Sequence, residues 1–251
     1  MTEPTDLGRP EPGQPDPDDT VRTTRTTWRE HLGPIVGGAL LGATYWTLLR
    51  PRMLNWGATP TEIVRPFPGD DLLPDPGAES TMAVDISAPP DTVWPWLVQL
   101  GQEQGGFYSY EWAENLVGLG IHNADEIQPE WQDRGVGDTV RLGRADLFPD
   151  ATLEVAEFDP EESLVLRTPD DPTWWVWSFV LDPVDETTTR LLVRSRIRLP
   201  ANPVVRIASL AALDPVSSLM TYGMLQGIRR RAERLARTGR TEMGGGSSRV
   251  G

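Results

Sequence analysis

The residues best suited to chemistry lie between Gly105 and Trp131, in the stretch GGFYSYEWAENLVGLGIHNADEIQPEW. Aromatic side chains are mixed there with acids, amides and a histidine. Aromatic faces desolvate a bound molecule while polar groups orient it, so this mixture is what a small-molecule pocket needs. The same residue types also serve as core aromatics and as helix caps. The stretch therefore predicts a binding site, and a structural role is the alternative.

Acid–base catalysis is the one reaction type that this stretch suggests. His122 could exchange a proton near neutral pH, with Tyr110 or Asp125 as its partner. A hydrogen-bonded structural histidine is the alternative. The chain has two histidines and no cysteine, and it contains neither an H-E-x-x-H motif nor a glycine-rich phosphate loop. We therefore expect no metal site and no cofactor.

Aromatic residues outside this stretch extend the predicted site. Trp175, Trp177 and Phe179 share one face of a predicted strand, where they either fill a core or form the wall of a cavity. Tyr222 lies on the apolar stripe of a predicted C-terminal helix. The predicted ligand-binding residues are Tyr108, Tyr110, Trp112, Asn115, His122, Asn123, Trp131, Trp175, Trp177, Phe179 and Tyr222.

Hydrophobic periodicity predicts the elements that would position these residues. A strand over 81–87 precedes a short helix over 93–100, and a second helix covers 109–119. Further strands are predicted at 139–142, 151–158, 163–168, 173–181 and 189–199. Turns rich in Asp and Pro separate them, so consecutive strands should pair antiparallel. A closing helix is predicted from Asp214-Pro215, an N-cap followed by proline.

The last predicted strand has two different faces. Its apolar residues alternate with Arg194, Arg196 and Arg198. We expect these arginines to form a solvated face and to pair across strands with acids such as Glu154.

The N-terminal region contains one segment that is long enough to cross a bilayer. Residues 32–49, LGPIVGGALLGATYWTLL, carry no charge, and at about 1.5 Å per residue a helix of this length spans roughly 27 Å. They predict a single transmembrane helix, and a soluble packed helix is the alternative. Gly38 and Gly42 form a G-x-x-x-G face that could support a homodimer.

The remaining segments are predicted to be tails or connections. Residues 1–31 form an acidic tail with little to bury, which favours disorder. Residues 50–79 are a connector rich in Pro and Gly, 80–238 a single folded domain, and 239–251 a disordered tail.

Charge excludes one class of partner. The net charge is −14, and no residue is lysine. An acidic body repels phosphate backbones, so we expect no nucleic-acid binding. The composition is typical either of a salt-adapted protein or of GC-rich codon usage. We expect a membrane location through residues 32–49, on a side that charge does not define, and a cytoplasmic location if this segment is not an anchor.

The order of elements resembles a known superfamily. A strand, two short helices, a run of antiparallel strands and a long final helix form an α+β helix-grip arrangement. The chain resembles the START/birch-allergen-like (SRPBCC) superfamily, in particular its polyketide cyclase/dehydrase and lipid transport group. The resemblance is carried by LNWGAT, PGDDLLPDP, ISAPPDTVWPWLVQLGQ, the 105–132 block, VGDTVRL and MLQGIRRRAE, over about residues 51–237.

The resemblance implies a curved sheet around a long C-terminal helix, with a cavity for an apolar ligand between them. Our first hypothesis is the binding or transfer of a lipid- or polyketide-like molecule by a membrane-tethered domain that is not an enzyme. A cyclase- or dehydratase-like enzyme with His122 as acid or base is the second. A protein-interaction module is the third.

Overall fold

The computed structural model describes residues 28–116 and 118–245, with side chains over 36–116 and 118–239. The chain divides into two compact units, Met1–Tyr45 and Trp46–Gly251. The described part of the first unit is α1 (Trp28–Thr44) with Tyr45. Most of the predicted acidic tail, residues 1–27, and the end of the predicted C-terminal tail, 246–251, lie outside the described residues.

The predicted anchor is helical in every described part. Its residues belong to α1 and to a π-helical turn, Tyr45–Leu49. Val36, Leu40 and Leu41 are exposed. The backbone and these side chains agree with the conformation that a membrane helix requires, and membrane insertion stays a prediction.

One antiparallel sheet forms the centre of the second unit. Its six strands lie in the order β1-β6-β5-β4-β3-β2, so the first strand pairs with the last. The strands are β1 (Ala78–Ile86), β2 (Thr139–Arg141), β3 (Thr152–Asp159), β4 (Ser163–Arg167), β5 (Trp175–Asp185) and β6 (Thr188–Ile197). With the long C-terminal helix α6 (Pro203–Gly245), this is the predicted α+β helix-grip fold.

Four shorter helices lie before and after β1 in the chain, two on each side. They are α2 (Arg50–Leu54), α3 (Pro60–Val64), α4 (Pro90–Val98) and α5 (Glu111–Leu116). Short 3-10 turns cover Asp70–Leu72 and Pro129–Trp131. The second predicted helix is therefore shorter than the expected 109–119, because Gly118 takes a positive φ of 82° two residues after α5 ends.

The start predicted for the C-terminal helix is wrong. α6 begins at Pro203, where the Asn202 carboxamide oxygen accepts hydrogen bonds from the backbone N–H groups of Val204 (2.9 Å) and Val205 (3.2 Å). Asp214 lies inside the helix and pairs instead with Arg50 at 2.6 Å. An acid or amide followed by proline occurs twice in this region, and only the first pair caps the helix.

The core lies between one face of the sheet and the second half of α6. Register places Met82, Val193 and Phe179 in one cross-strand row, and Val84, Leu191 and Leu181 in another. These rows pack with α4 and with residues of α6, and all of their members are buried. The helix residues that complete this core are Val93, Trp94, Trp96, Leu97, Val98, Met224, Leu225, Ile228 and Ala232.

The opposite face of the sheet is covered at Arg194 and Arg196, which corrects the expectation of a solvated arginine face, whereas Arg198, after the end of β6, is exposed as expected. Arg194 is 2% exposed and Arg196 is 9% exposed. Both donate to backbone carbonyl groups of the segment 62–74, and both pair with Asp70. The predicted connector therefore packs on the sheet, and Glu154 pairs with Arg167 rather than with β6.

Within the described ranges, one helix has the length and composition to cross a membrane, α6 over Pro203–Gly239. Core helices of soluble proteins share these properties, and Leu225 and Ile228 of α6 are fully buried in the core.

Candidate functional site

A cavity of about 400 Å³ lies where the sheet meets the first half of α6. Strand register explains its position. Trp175, Ile197 and Ala78 form one cross-strand row, and Trp177, Ser195 and Ser80 form the next, on the same face as the core rows. Small residues on β1 and β6 leave space that the two tryptophans do not fill.

The lining is mostly apolar. Aromatic groups form one wall, with Trp175 and Trp177 stacked at a centroid distance of 5.4 Å and Phe107 next to Trp177 at 6.1 Å. Methionine and leucine side chains of α6 form the opposite wall. The lining residues are Leu54, Ala78, Glu79, Ser80, Phe107, Ser109, Glu114, Leu119, Ile121, Leu142, Trp174, Trp175, Trp177, Ser195, Ile197, Leu199, Ser209, Leu210, Leu213, Asp214, Val216, Ser217, Met220, Thr221 and Met224.

Exposed lining residues mark the opening. Trp174 is 45% exposed, and Leu213 and Val216 of α6 are each 60% exposed. The cavity therefore reaches solvent between Trp174 and the first half of α6, through an apolar rim.

Three polar groups of the lining are occupied by protein contacts. Asp214 pairs with Arg50, and Glu79 pairs with Arg196 at 2.7 Å. The hydroxyl of Ser195 accepts a hydrogen bond from the indole N–H of Trp175 at 2.9 Å. These contacts leave the groups satisfied and fix the tryptophan ring against the sheet.

Glu114 differs from these groups. Its side chain is 4% exposed, and its Oε1 accepts a short hydrogen bond from the Ser109 hydroxyl. Its Oε2 is buried without a hydrogen-bond partner among the described residues. Burial raises the pKa of this carboxyl, the Ser109 hydrogen bond opposes the shift, and the nearby Glu111 charge adds to it. The site thus contains one acid held toward its neutral form.

Of the predicted ligand-binding residues, Trp175 and Trp177 line the cavity. Phe179 follows Trp177 on β5 but is fully buried in the next core row. Tyr222 packs edge-on against Trp56, with a centroid distance of 4.6 Å. Neither is among the described residues that form the cavity wall.

Four predicted residues of the 105–131 stretch hold its loop together. Tyr108 packs between Trp96 and Arg231, and its backbone N–H donates to Asn123 at 2.5 Å. Asn115 binds the backbone N–H and carbonyl of Ile121. The ring of Tyr110 lies against Gly223 of α6. Burial raises the pKa of Tyr108 above its ordinary value, so this phenol stays protonated.

The remaining predicted residues are more exposed. Trp112 is 71% exposed and Trp131 is half-buried. His122 is exposed, and the exposed Asp125 pairs with Arg231 at 2.9 Å. The three predicted catalytic residues are absent from the cavity lining that the structure describes. Their acid–base role stays a prediction, and none of the three residues lies where it would contact a ligand in this cavity.

Sequence reasoning missed the polar centre of the site and most of its α6 wall. Glu114 is not among the predicted site residues, and Met220 and Met224 carry no local signal in the sequence. Phe107 and Ser109 flank Tyr108, whose φ of 57° turns the chain there. The pairing of a serine with an acid five residues later, inside an aromatic stretch, could have indicated Glu114.

No metal centre is found in the part of the chain that the structure describes. No group of three or more His, Asp or Glu side chains is placed there to hold an ion.

No protein-family model matches the chain, and no curated protein matches it. Solved structures that are similar to it include the Zhui aromatase/cyclase from Streptomyces sp. R1128. That protein is 16% identical, with 62% of this chain and 94% of that chain covered at a TM-score of 0.41. A protein from Thermus thermophilus is also 16% identical, with coverages of 63% and 99% at a TM-score of 0.35. Likeness at this level gives neither ligand nor reaction. Membership in the polyketide cyclase/dehydrase group stays a prediction.

Proposed function

We propose that this chain binds an apolar or amphipathic small molecule, lipid-like or polyketide-like, in the cavity between the sheet and α6. The observation that carries this proposal is a cavity of about 400 Å³ with a mostly apolar wall and an apolar opening. Small-molecule sites have volumes of roughly 300–1,000 Å³ and the same combination of apolar walls with a few polar groups. Burial of apolar ligand surface contributes about 25 cal/mol per Å², which favours ligands that are mainly apolar.

The other two hypotheses have less support. A cyclase or dehydratase that uses His122 needs this histidine beside its substrate, and His122 is exposed and outside the described lining. An interaction module predicts an exposed aromatic patch without a cavity beneath it. Trp112 is exposed, but Phe107 of the same stretch forms part of the cavity wall.

A membrane tether would give the binding site a source of ligand. Residues 32–49 are our proposed tether, since the segment is uncharged and helical where it is described. A bilayer concentrates apolar molecules, so tethering would raise the rate at which they reach the cavity. Gly38 and Gly42 have open space around them, which leaves room for a second helix in the proposed homodimer.

The binding proposal can be tested with the neutral dye N-phenyl-1-naphthylamine, which becomes fluorescent in apolar surroundings. We expect saturable fluorescence with the purified full chain. Met220→Trp should weaken dye binding at least tenfold, because Met220 lines the cavity and the larger indole would occupy it.

Leu219→Trp is the matched control. Leu219 is the neighbouring α6 residue and is 52% exposed, so the same indole there should leave dye affinity within about twofold. Thermal unfolding of both variants checks that they fold. Dye binding that is absent, or equal in the two variants, would contradict a ligand cavity at this position.

A further inference from the structure

Among the buried side-chain oxygens that the structure describes in the cavity wall, Oε2 of Glu114 on α5 is the one without a hydrogen-bond partner. Glu114 is 4% exposed, and its Oε1 already accepts the Ser109 O–H. Because Oε1 acts as the acceptor, a proton on the carboxyl would reside on Oε2. That oxygen is buried and has no hydrogen-bond partner among the described residues. A buried O–H group without an acceptor is unfavourable, because it has lost its hydrogen bonds to water and gained none in the protein.

The charges around Glu114 favour its neutral form. Glu111, on the same helix, adds negative charge, and its Oε1 accepts from the backbone N–H of Asn123. Across the cavity, the carboxylates of Glu79 and Asp214 are paired with Arg196 and Arg50. No arginine contacts Glu114 in the described structure. A neutral carboxyl is a hydrogen-bond donor, whereas an ionised one would attract a cation.

We propose that Glu114, in its protonated form, donates a hydrogen bond to a carbonyl or hydroxyl oxygen at the polar end of the bound molecule. This inference rests on the proposed binding function and names the class of ligand: a mainly apolar molecule with one buried oxygen acceptor. Ser109 is the positioning residue, because its hydroxyl fixes Oε1 and leaves Oε2 for the ligand. The aromatic rings of Phe107 and Trp177 bind the apolar part of the same molecule.

Two probes of the same shape test this hydrogen bond. 2-Acetylnaphthalene carries a carbonyl where 2-isopropenylnaphthalene carries a C=CH₂ group. Calorimetric titration of the full chain at pH 5 should show a preference of about three- to tenfold for the ketone, the usual effect of one such bond. The preference should decrease as pH rises and Glu114 ionises, because a carboxylate cannot donate. The hydrocarbon probe corrects for other effects of pH on the cavity.

Two substitutions at Glu114 distinguish the effect of hydrogen-bond donation from the effect of side-chain shape. Glu114→Gln keeps an N–H donor, so the ketone preference should persist and become independent of pH. Glu114→Leu removes the donor, so the ketone and the hydrocarbon should bind with about equal affinity. Continued binding of the hydrocarbon shows that the leucine variant is folded.

The alternative outcomes are distinct. Equal affinities of wild type for the two probes would overturn the role of Glu114 and leave the cavity as an apolar site. Tighter binding of 1-(2-naphthyl)ethylamine than of the ketone, lost in Glu114→Gln, would make Glu114 an ionised counter-ion and also overturn the proposal. Failure of all three probes to bind would count against the proposed function itself, and the inference would fall with it.

Discussion

At the residue scale, Arg194 connects the covered face of the sheet to the segment before β1. Its Nε donates to the Thr81 hydroxyl, and one terminal nitrogen donates to the carbonyls of Glu62 and Ile63. The other donates to Asp70 and to the carbonyl of Arg65. All five N–H groups of a buried guanidinium are therefore used. Only arginine presents five donors in this planar arrangement.

Arg194→Lys should therefore lower the free energy of unfolding by about 3 kcal/mol, because an ammonium leaves several buried carbonyls without a donor. Urea unfolding measures this change. Arg198→Lys, at an exposed position of the same chain segment, should change stability by less than about 0.5 kcal/mol. Equal losses for the two variants would contradict a structural role for the buried guanidinium.

The second prediction at the residue scale concerns Glu114 and the dependence of the free energy of unfolding on pH. Its pKa is raised in the folded state, mainly by burial, so the folded protein binds its proton more tightly than the unfolded chain does. Stability from this group is therefore present at low pH and is lost as pH rises from the unfolded pKa, near 4.5, through the raised folded value. Glu114→Gln should remove that loss and be more stable than wild type at pH 8.

The measurement is urea unfolding of the glutamine variant and wild type at pH 4 and pH 8. The stability gain should be larger at pH 8. Glu130→Gln, at an exposed position, is the control and should change the free energy of unfolding by less than about 0.5 kcal/mol. A gain that is the same at both pH values would mean that Glu114 ionises as easily in the folded state as in the unfolded one.

At the scale of elements, two glycines let α6 approach the loop before α5. A Cβ on Gly227 would lie 1.9 Å from the carbonyl oxygen of Tyr108, and one on Gly223 would lie 2.7 Å from the ring of Tyr110. The two glycines are four residues apart and so share one face of the helix. This close contact fixes the loop that carries Phe107 and Ser109 into the cavity.

Gly227→Ala should therefore destabilise the protein by about 2–3 kcal/mol, since backbone rather than a flexible side chain blocks the added methyl group. Gly239→Ala, on the same helix with nothing within 4 Å, should instead stabilise it by about 0.5–1 kcal/mol. Thermal or urea unfolding of the pair gives the result. A stabilising Gly227→Ala would show that helix and loop are farther apart than described.

The sequence was informative about elements wherever the pattern was local. Alternation and turn residues predicted all six strands and the helix-grip fold, to within a few residues at most ends. The start of α6 was mispredicted because Asn202-Pro203 and Asp214-Pro215 carry the same capping signal. The Asn202 side chain accepts the capping hydrogen bonds, whereas Asp214 pairs with Arg50, which is far away in sequence, and periodicity does not contain that information.

At the scale of the whole molecule, the site depends on packing between distant segments. Trp175 and Trp177 were predicted because their alternation is visible in one strand. Ser80 and Ser195 create the space beside them, and their importance follows only from the register of β1, β6 and β5. Glu114 similarly differs from other acids of the chain only because the fold buries its carboxyl group, which no local sequence pattern shows. The stretch 105–131, rich in polar and aromatic residues, thus predicted where the site lies. The residues that it indicated as ligand-binding mainly hold the loop in place and do not line the cavity.

Membrane attachment is the prediction that concerns the chain as a whole. Two helices are candidates: the uncharged segment 32–49, and α6 over Pro203–Gly239. Both have exposed apolar residues, Leu40 and Leu41 in the first, Val204 and Ile207 in the second. The second half of α6 is committed to the protein core, so insertion of that helix would require the fold to open. We therefore propose residues 32–49, rather than α6, as the tether.

Paired arginine substitutions distinguish the two helices, because each arginine costs about 3 kcal/mol at the centre of a membrane helix. Leu40→Arg with Leu41→Arg should move the full chain from the carbonate-washed membrane fraction to the soluble fraction. Val204→Arg with Ile207→Arg should leave it in the membrane fraction, since those side chains would remain in water. The reverse pattern would transfer the tether to α6, and a wild-type chain that is released by carbonate would remove the tether altogether. The first result would show that residues 32–49 attach the chain to a membrane, the phase in which a mainly apolar ligand with one oxygen acceptor is concentrated.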